Sequence, residues 1–180
     1  MELKLSEQEI VRREKLDEIR KVCNPYPSKF ERTHTLKEAR ELEDGTADVS
    51  IAGRIIFMRK MGKLSFVRIR DLESDMQLEI KIDTVGEETY SFFKKLIDSG
   101  DFIGAHGEIF TTQTGEKTLR VKTLTFLGKA LKPLPEKFHG LQDTELKYRQ
   151  RYTDLIMNEE SRRVFLGRSK LYAFIHKYLG

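Results

Sequence analysis

An aromatic residue, Phe66, lies among basic residues in the segment LSFVRIRD (64–71). Hydrophobic and other residues alternate there, so Val67 and Ile69 suit a buried face and Phe66 falls on the opposite face with Arg68. An exposed aromatic ring in a positive setting can stack on unpaired bases while arginines hold their phosphates. The segment therefore predicts a single-stranded nucleic-acid contact, although a lone strand phenylalanine is more often a core residue.

The next alternating segment adds a polar group on the same face. In DMQLEIKID (75–83), Met76, Leu78 and Ile80 suit the core, which places Gln77 outward. Basic residues occur in the strand end and turn that precede Phe66, namely Arg59, Lys60 and Lys63. We expect Phe66 and Gln77 to share one exposed surface, while an ordinary solvated glutamine remains the alternative interpretation.

Motifs for catalysis are missing from the sequence. It contains no glycine-rich phosphate loop, no Ser/His/Asp arrangement with a nucleophile elbow and no group of residues with zinc-site spacing. The four histidines are scattered, and the single cysteine, Cys23, excludes an internal disulfide. We therefore predict no catalytic residue and no metal ligand, and we expect the function to lie in binding.

The bulk composition is compatible with a polyanionic partner but does not require one. Lysine and arginine number 33 against 29 acidic residues, for a net charge of +4 and an isoelectric point near 9.1. No run approaches the roughly 18 apolar residues of a membrane-spanning helix, and the N-terminus is charged where a signal peptide is apolar. The sequence predicts a cytoplasmic protein.

The elements that position these residues follow the order of an OB-fold. Strands are predicted at 49–60, 64–71 and 75–83, then a helix at 87–100 with Gly100 as its C-cap, then strands at 101–112 and 117–127. Gly53 is expected to mark a bulge or bend in the first strand. Three strands, a helix and two strands predict a five-stranded Greek-key barrel within a mainly β fold with flanking helices, of the α+β class.

Helices are predicted on both sides of the barrel. Residues 6–22 read as an amphipathic helix with a Ser6/Glu9 capping box and an apolar stripe that includes Ile10 and Val22. Its basic residues, which include Arg12 and Lys15, are interpreted as a solvated face, with a phosphate-binding stripe as the alternative. After Pro133 and Pro135, one helix is expected at about 143–156 and another after Asn158 as N-cap, with an apolar stripe of Val164, Leu171, Phe174, Ile175 and Tyr178.

The predicted organisation has four parts. Residues 1–48 form an N-terminal helix and connector, and 49–130 form the OB-fold domain. Residues 131–158 form a hinge, and 159–180 begin a further domain.

Three blocks closely resemble bacterial lysyl-tRNA synthetases, which are class II enzymes. They are RREKLDEIRKVCNPYPSKFERTHT, AGRIIFMRKMGKLSFVRIRDLESDMQLEI and ALKPLPEKFHGLQDTELKYRQRYTDLI. The last block matches the hinge between the anticodon-binding and catalytic domains of that family, and Glu159–Leu179 resembles the start of the first class II motif. The charged segment RIRDLESD (68–75) departs from the short glycine-containing turn of many relatives.

The resemblance implies roles for individual residues. Phe66 would stack on the middle anticodon uridine, Arg59 and Gln77 would contact it, and Glu116 would lie near a neighbouring anticodon base. Lys63 and Arg68 complete the expected tRNA anticodon-binding set.

The resemblance also implies properties of the intact protein. It would be a homodimer that charges lysine-accepting tRNA with lysine, using ATP and magnesium. The second and third class II motifs are absent from this sequence, so we expect no cofactor in it and no aminoacylation by the chain alone.

Two other functions remain open. One is a free-standing OB-fold that binds single-stranded nucleic acid with little sequence preference. The other is a protein-interaction segment whose terminal helix mediates self-association.

Overall fold

A computed structural model describes residues 5–135 and 144–179, which belong to two compact units, Met1–Pro133 and Leu134–Gly180. The first unit has five strands: β1 Val49–Met61, β2 Leu64–Arg70, β3 Asp75–Lys81, β4 Phe102–Thr111 and β5 Lys117–Gly128. Its helices are α1 Glu7–Val22, α2 Leu36–Glu41, α3 Ile82–Val85 and α4 Glu87–Leu96. The second unit has α5 Thr144–Arg149, α6 Arg151–Met157 and α7 Glu159–Leu179. The four predicted domain limits stay predictions.

The five strands form a closed barrel in the order β1-β2-β3-β5-β4. All neighbours are antiparallel except β3 and β5, which pair in parallel where α3 and α4 cross between them. Closure leaves no free sheet edge. The predicted OB-fold barrel of a mainly β, α+β fold is confirmed.

Alternation along the strands separates the barrel core from its outer face. In β2, Val67 and Ile69 are 1% and 0% exposed, as predicted, and Met76, Leu78 and Ile80 of β3 are each 0% exposed. The core continues into the helix between β3 and β4, where Phe93 is fully buried. Outward residues of β2 and β3 are therefore fixed by the burial of their neighbours.

The prediction of a bulge at Gly53 was wrong in position. The register between β1 and β2 shifts between Ile55 and Phe57, two residues further along. A Cβ atom at Gly53 would lie 2.8 Å from the carbonyl oxygen of Arg70, so this glycine permits close approach of two strands instead. The bulge after it reverses which residues of β1 face outward.

The C-cap assigned to Gly100 was also wrong. Helix α4 ends at Leu96, and the amide of its C-cap residue Ile97 donates to the Phe93 carbonyl. Gly100 lies in the following turn with φ 99°, and its amide donates to the Ile55 carbonyl over 2.8 Å. The glycine is needed because this turn has a positive φ angle, which disfavours other residues.

Helix α1 begins with the predicted capping box between Ser6 and Glu9. Leu16 and Ile19 are buried, but Ile10 and Val22 are 46% and 69% exposed. Only the middle of the predicted apolar stripe therefore packs against the rest of the protein. The solvated-face interpretation was wrong for Arg12. Its guanidinium donates to the carbonyl oxygens of Ala130 and Ser99 over 2.8 and 3.0 Å.

Lys15 was likewise assigned wrongly to the solvated face. Its ammonium lies 2.6 Å from Oδ1 of Asp98, which follows α4.

The connector before β1 contains a helix that the sequence analysis missed, α2. Thr35 and Glu38 form a second capping box at its start, a signal readable from their spacing.

In the second unit, the helix predicted at 143–156 is two helices. Their boundary is Gln150, whose φ and ψ angles of −118° and 52° interrupt the helical path. Asn158 caps α7 as predicted, because its side-chain oxygen accepts from the amide of Glu160. Residues 136–143 of the predicted hinge lie outside the described residues.

The apolar stripe of α7 is exposed in the second unit. Its five residues range from 41% exposed at Ile175 to 79% at Tyr178. Across the described residues, 5–135 and 144–179, no helix is long and apolar enough to cross a membrane.

Candidate nucleic-acid interface

Two rows of side chains cross the outer face of all five strands. Strand pairing places one row in the order Arg59, Phe66, Glu79, Arg120 and Glu108. The adjacent row runs Phe57, Arg68, Gln77, Thr118 and Phe110. Facing residues in a sheet are about 5 Å apart, so the rows form a continuous surface of aromatic and charged groups.

A groove of about 570 Å³ lies over this surface. Its walls include Phe66, Gln77 and Arg59, and Thr112 to Thr114 of the β4–β5 turn also line it. The sequence-predicted pair Phe66 and Gln77 does share this face, with the two residues on adjacent strands. A groove with aromatic, amide and cationic walls can hold an unpaired base.

Arg59 faces Phe66 across the β1–β2 pair. Arg59 is exposed, and within the described part of the chain its side chain has no hydrogen bond or ion pair. Its five N–H donors are therefore free to meet acceptors beside the Phe66 ring.

Gln77 is held by a hydrogen-bond chain that fixes its amide. The Thr118 hydroxyl donates to the Glu116 carbonyl over 3.0 Å, so it can only accept from Gln77 Nε2, which is 3.1 Å away. The remaining amide atom, Oε1, has no donor among the described residues, and none of their buried side-chain polar atoms is unsatisfied. Gln77 therefore presents an acceptor to solvent in the groove.

Arg68 and Glu116 contact each other. The Arg68 guanidinium lies 2.8 Å from Glu116 Oε1 and 2.9 Å from Asp75 Oδ1, so it links β2 to both β3 and the β4–β5 turn. Burial alone raises the pKa of Asp75, but hydrogen bonds and charges from Arg70 and Arg68 hold that pKa below its usual value. Arg68 thus has two carboxylate partners on the protein itself.

Lys63 lies at the edge of this surface. It is exposed in the β1–β2 turn and is not among the groove walls, and its backbone carbonyl accepts from the Ile82 amide. The structure therefore brings Phe66, Gln77, Arg59 and Arg68 together along the groove, with Glu116 bound to Arg68 and Lys63 further out.

Sequence reasoning missed Phe110, which lines the groove, and Arg120, which stacks on the Phe110 ring from the neighbouring strand. The Arg120 guanidinium carbon lies 4.3 Å from the centre of the Phe110 ring, and its Nε donates to Glu79 Oε1 over 3.2 Å. Glu79 is only 5% exposed, although it alternates with the inward residues Leu78 and Ile80 of β3. Alternation alone could place these side chains outward, but the parallel β3–β5 pairing that joins them spans 38 residues of intervening chain.

No group of three or more His, Cys, Asp or Glu residues that could hold a metal ion occurs within 5–135 and 144–179. The groove walls carry aromatic rings, an amide and charged groups, which act through stacking, hydrogen bonding and charge.

Comparison with known proteins agrees with this chemistry. Residues 49–127 match the tRNA anticodon-binding family, an OB-fold nucleic acid binding domain. Over 97% of its length the chain is 45% identical to the lysine–tRNA ligases of Lysinibacillus sphaericus and Lactococcus lactis, and 44% identical to that of Streptococcus pneumoniae.

The match covers only part of those relatives, since the chain spans 37% of the length of each. The family match, 49–127, contains the five barrel strands except for the last residue of β5, Gly128. Residues 49–127 are therefore an anticodon-binding OB-fold domain, and the chain is a homologue of the part of the bacterial lysine–tRNA ligases that carries it.

Proposed function

We propose that the groove binds the anticodon loop of a lysine-accepting tRNA and reads the middle uridine. The observation that carries this proposal is the position of Phe66, outward on β2 between Arg59 on one side and the Gln77 strand on the other. Stacking on the Phe66 ring supplies affinity of about 1–3 kcal/mol for one base. Because every base has a flat face, that contact is nearly blind to base identity.

Identity would come from the two polar residues. Arg59 only donates, so it suits a uracil carbonyl and opposes the amino group of cytosine. Gln77, with Nε2 directed to Thr118, offers its oxygen to the groove. Uracil N3–H can donate to that oxygen, whereas cytosine N3 at the same position is an acceptor and meets it unfavourably.

Further contacts would come from the other predicted residues. Lys63 suits a backbone phosphate near the β1–β2 turn because it is exposed and positively charged. Glu116 would approach a neighbouring anticodon base from the β4–β5 turn, with Arg68 holding its carboxylate in place.

The whole protein would be a lysine–tRNA ligase, as its relatives' names state. It would charge tRNA with lysine at the expense of ATP in the presence of magnesium, as a cytoplasmic homodimer. These properties belong to the intact enzyme, and the groove supports only its tRNA-binding step.

Binding of matched stem-loops tests the anticodon-reading role. The chain should bind a stem-loop with anticodon UUU more tightly than one with UCU, measured by titration calorimetry or fluorescence anisotropy. Phe66→Ala should weaken both by about 1–3 kcal/mol, and Arg59→Ala should narrow the gap between them. Lys37→Ala, an exposed lysine of α2 outside the groove, is the charge-matched control and should leave the gap unchanged.

Salt provides a second criterion. Added salt should weaken every variant through phosphate screening while the UUU preference persists. Equal binding of the two loops by the unmodified chain would reject anticodon reading and favour an OB-fold that binds single strands without sequence preference.

A further inference from the structure

Phe110 lines the groove away from Phe66, and Arg120 stacks on the Phe110 ring. Phe110 is on β4 and Arg120 on β5, with 4.3 Å between the guanidinium carbon and the ring centre. This places the guanidinium against the aromatic ring, where the ring's electrons attract a cation. The pair therefore presents a planar cationic surface instead of a mobile arginine.

Glu79 restrains that arginine. Its carboxylate accepts from Arg120 Nε over 3.2 Å and lies 3.2 Å from Lys81 Nζ, while Glu79 is only 5% exposed. A carboxylate buried to this degree requires charged partners, so the Arg120 interaction is costly to break. The bond to Nε also sets the direction of the guanidinium plane.

Arg120 nevertheless remains available to a ligand. Its side chain is 37% exposed, and its two terminal nitrogens have no hydrogen bond or ion pair within the described residues. Planar arginines of this kind stack on bases and donate to phosphates or base edges.

The pair lies at a useful distance from Phe66. Phe66, Glu79 and Arg120 face one another on the neighbouring strands β2, β3 and β5. Two interstrand spacings separate Phe66 from Arg120 by about 10 Å. Two bases unstacked from one another can then contact separate surfaces, one at Phe66 and one at the Phe110–Arg120 pair.

We propose that Phe110 and Arg120 form a second base-binding surface, which stacks a base flanking the middle anticodon base. The proposal rests on the anticodon-binding function and assigns this flanking base its own stacking partner. Glu79 is a positioning residue here, because it acts through Arg120.

The test uses the whole 180-residue chain and four stem-loops. One carries the anticodon UUU, and the others have an abasic site at the first, middle or third anticodon position. Arg120→Lys keeps the charge for Glu79 but removes the planar surface. Phe110→Leu keeps apolar volume but removes the ring. Lys122→Ala, an exposed residue of the same strand, is the control for a lost charge.

We expect Arg120→Lys and Phe110→Leu each to weaken binding of the intact loop by about five- to 150-fold, the range for one stacked base. That loss should disappear on one flanking abasic loop and persist on the middle abasic loop. Lys122→Ala should change all four affinities by the same factor. Circular dichroism should show native strand content for both groove variants.

Two results would overturn the proposal. One is that Arg120→Lys and Phe110→Leu weaken all four loops by the same factor, and the other is that neither weakens the intact loop. A different result would contradict the anticodon-reading role. That role requires the unmodified chain to bind the middle abasic loop more weakly than the intact loop, and it requires Phe66→Ala to remove this difference in affinity.

Discussion

At the scale of single residues, the Thr118 hydroxyl determines what the groove offers to a base. This hydroxyl donates its hydrogen bond to the Glu116 carbonyl, so it can only accept from Gln77. It therefore holds the Gln77 amide with Nε2 directed towards Thr118. A glutamine read from sequence alone could present a donor or an acceptor. In the folded chain the buried hydroxyl of Thr118, on the paired strand β5, removes this freedom.

Replacing Thr118 with valine tests this orientation. Thr118→Val keeps the shape of the side chain but removes the acceptor, so Gln77 can turn either end of its amide to the groove. The preference for a UUU over a UCU stem-loop should shrink while affinity for UUU falls by about 1 kcal/mol or less. Titration calorimetry on both loops measures the change. An unaltered preference would mean that Thr118 does not orient Gln77.

Asp75 gives the barrel an acid-sensitive ion cluster. Its pKa is held below the ordinary value of 3.8 because the hydrogen bond from Arg70 and the charge of Arg68 outweigh its partial burial. When the pH falls, the unfolded chain takes up this proton before the folded chain does. The stabilisation is therefore present above the ordinary value and is lost as the pH falls through the lowered one.

Asp75→Asn should accordingly flatten the acid side of the stability profile. The variant should be less stable than the unmodified chain near neutral pH, and this difference should shrink as the pH falls below 3.8. Urea unfolding at pH 7, 5 and 3 measures both curves. Parallel curves across this range would contradict the role assigned to Asp75.

At the scale of elements, α1 is fastened to the barrel through buried polar contacts. Lys15 of α1 lies 2.6 Å from Asp98 Oδ1. Asp98 and the fully buried Asp101 also bind the ammonium of Lys129, whose side chain is 0% exposed. Arg12 adds hydrogen bonds from α1 to the ends of the same segments. The basic face of α1 is therefore partly an anchor.

Arg12→Ala and Arg13→Ala form a matched pair of variants. Arg12→Ala leaves the carbonyls of Ala130 and Ser99 without their charged donor, so the free energy of unfolding should fall by about 2–4 kcal/mol. Arg13 is exposed, and its loss should change stability by about 0.5 kcal/mol or less. Equal effects in urea unfolding would show that α1 is not anchored by Arg12.

Close packing of β4 against β5 requires a glycine at Gly107. A Cβ atom there would lie 1.9 Å from the Arg120 carbonyl oxygen, so Gly107→Ala must separate the two strands. We expect a loss of about 3 kcal/mol or more in the free energy of unfolding. Gly128→Ala is the control, because its nearest contact is an ordinary 3.7 Å. Similar thermal midpoints for both variants would contradict this packing.

At the scale of the whole molecule, two compact units follow one another along the chain. The second unit ends in α7, whose apolar stripe is exposed. Such a stripe favours association with another apolar surface.

Deleting residues 158–180 should therefore leave the barrel folded and reduce the apparent size of any oligomer. The reason is that the barrel core is complete within the first unit. Size-exclusion chromatography with light scattering measures the size, and near-ultraviolet circular dichroism measures the barrel fold. Loss of barrel structure in the shortened chain would contradict the independence of the two units.

Much of the barrel is predictable because its signals are local. Strict alternation in β2 and β3 identifies Val67 and Met76 as inward and Phe66 and Gln77 as outward, and these assignments agree with the observed burial. Helix starts are local too, as the Ser6 and Asn158 caps show. Where prediction failed, at Gly100 and Gly53, each glycine has a backbone contact with a residue distant in sequence, Ile55 and Arg70 respectively.

The sequence by itself determined the OB-fold order of elements and an outward Phe66 and Gln77, because periodicity and capping depend on residues only a few positions apart. The tertiary structure alone decided the partners of these side chains. Barrel closure brings Thr118 to Gln77, Glu116 to Arg68 and Arg120 to Glu79 across 40 or more intervening residues. Hydrogen bonds and ion pairs act over about 3 Å, so no spacing along the chain can specify them before the strands are paired.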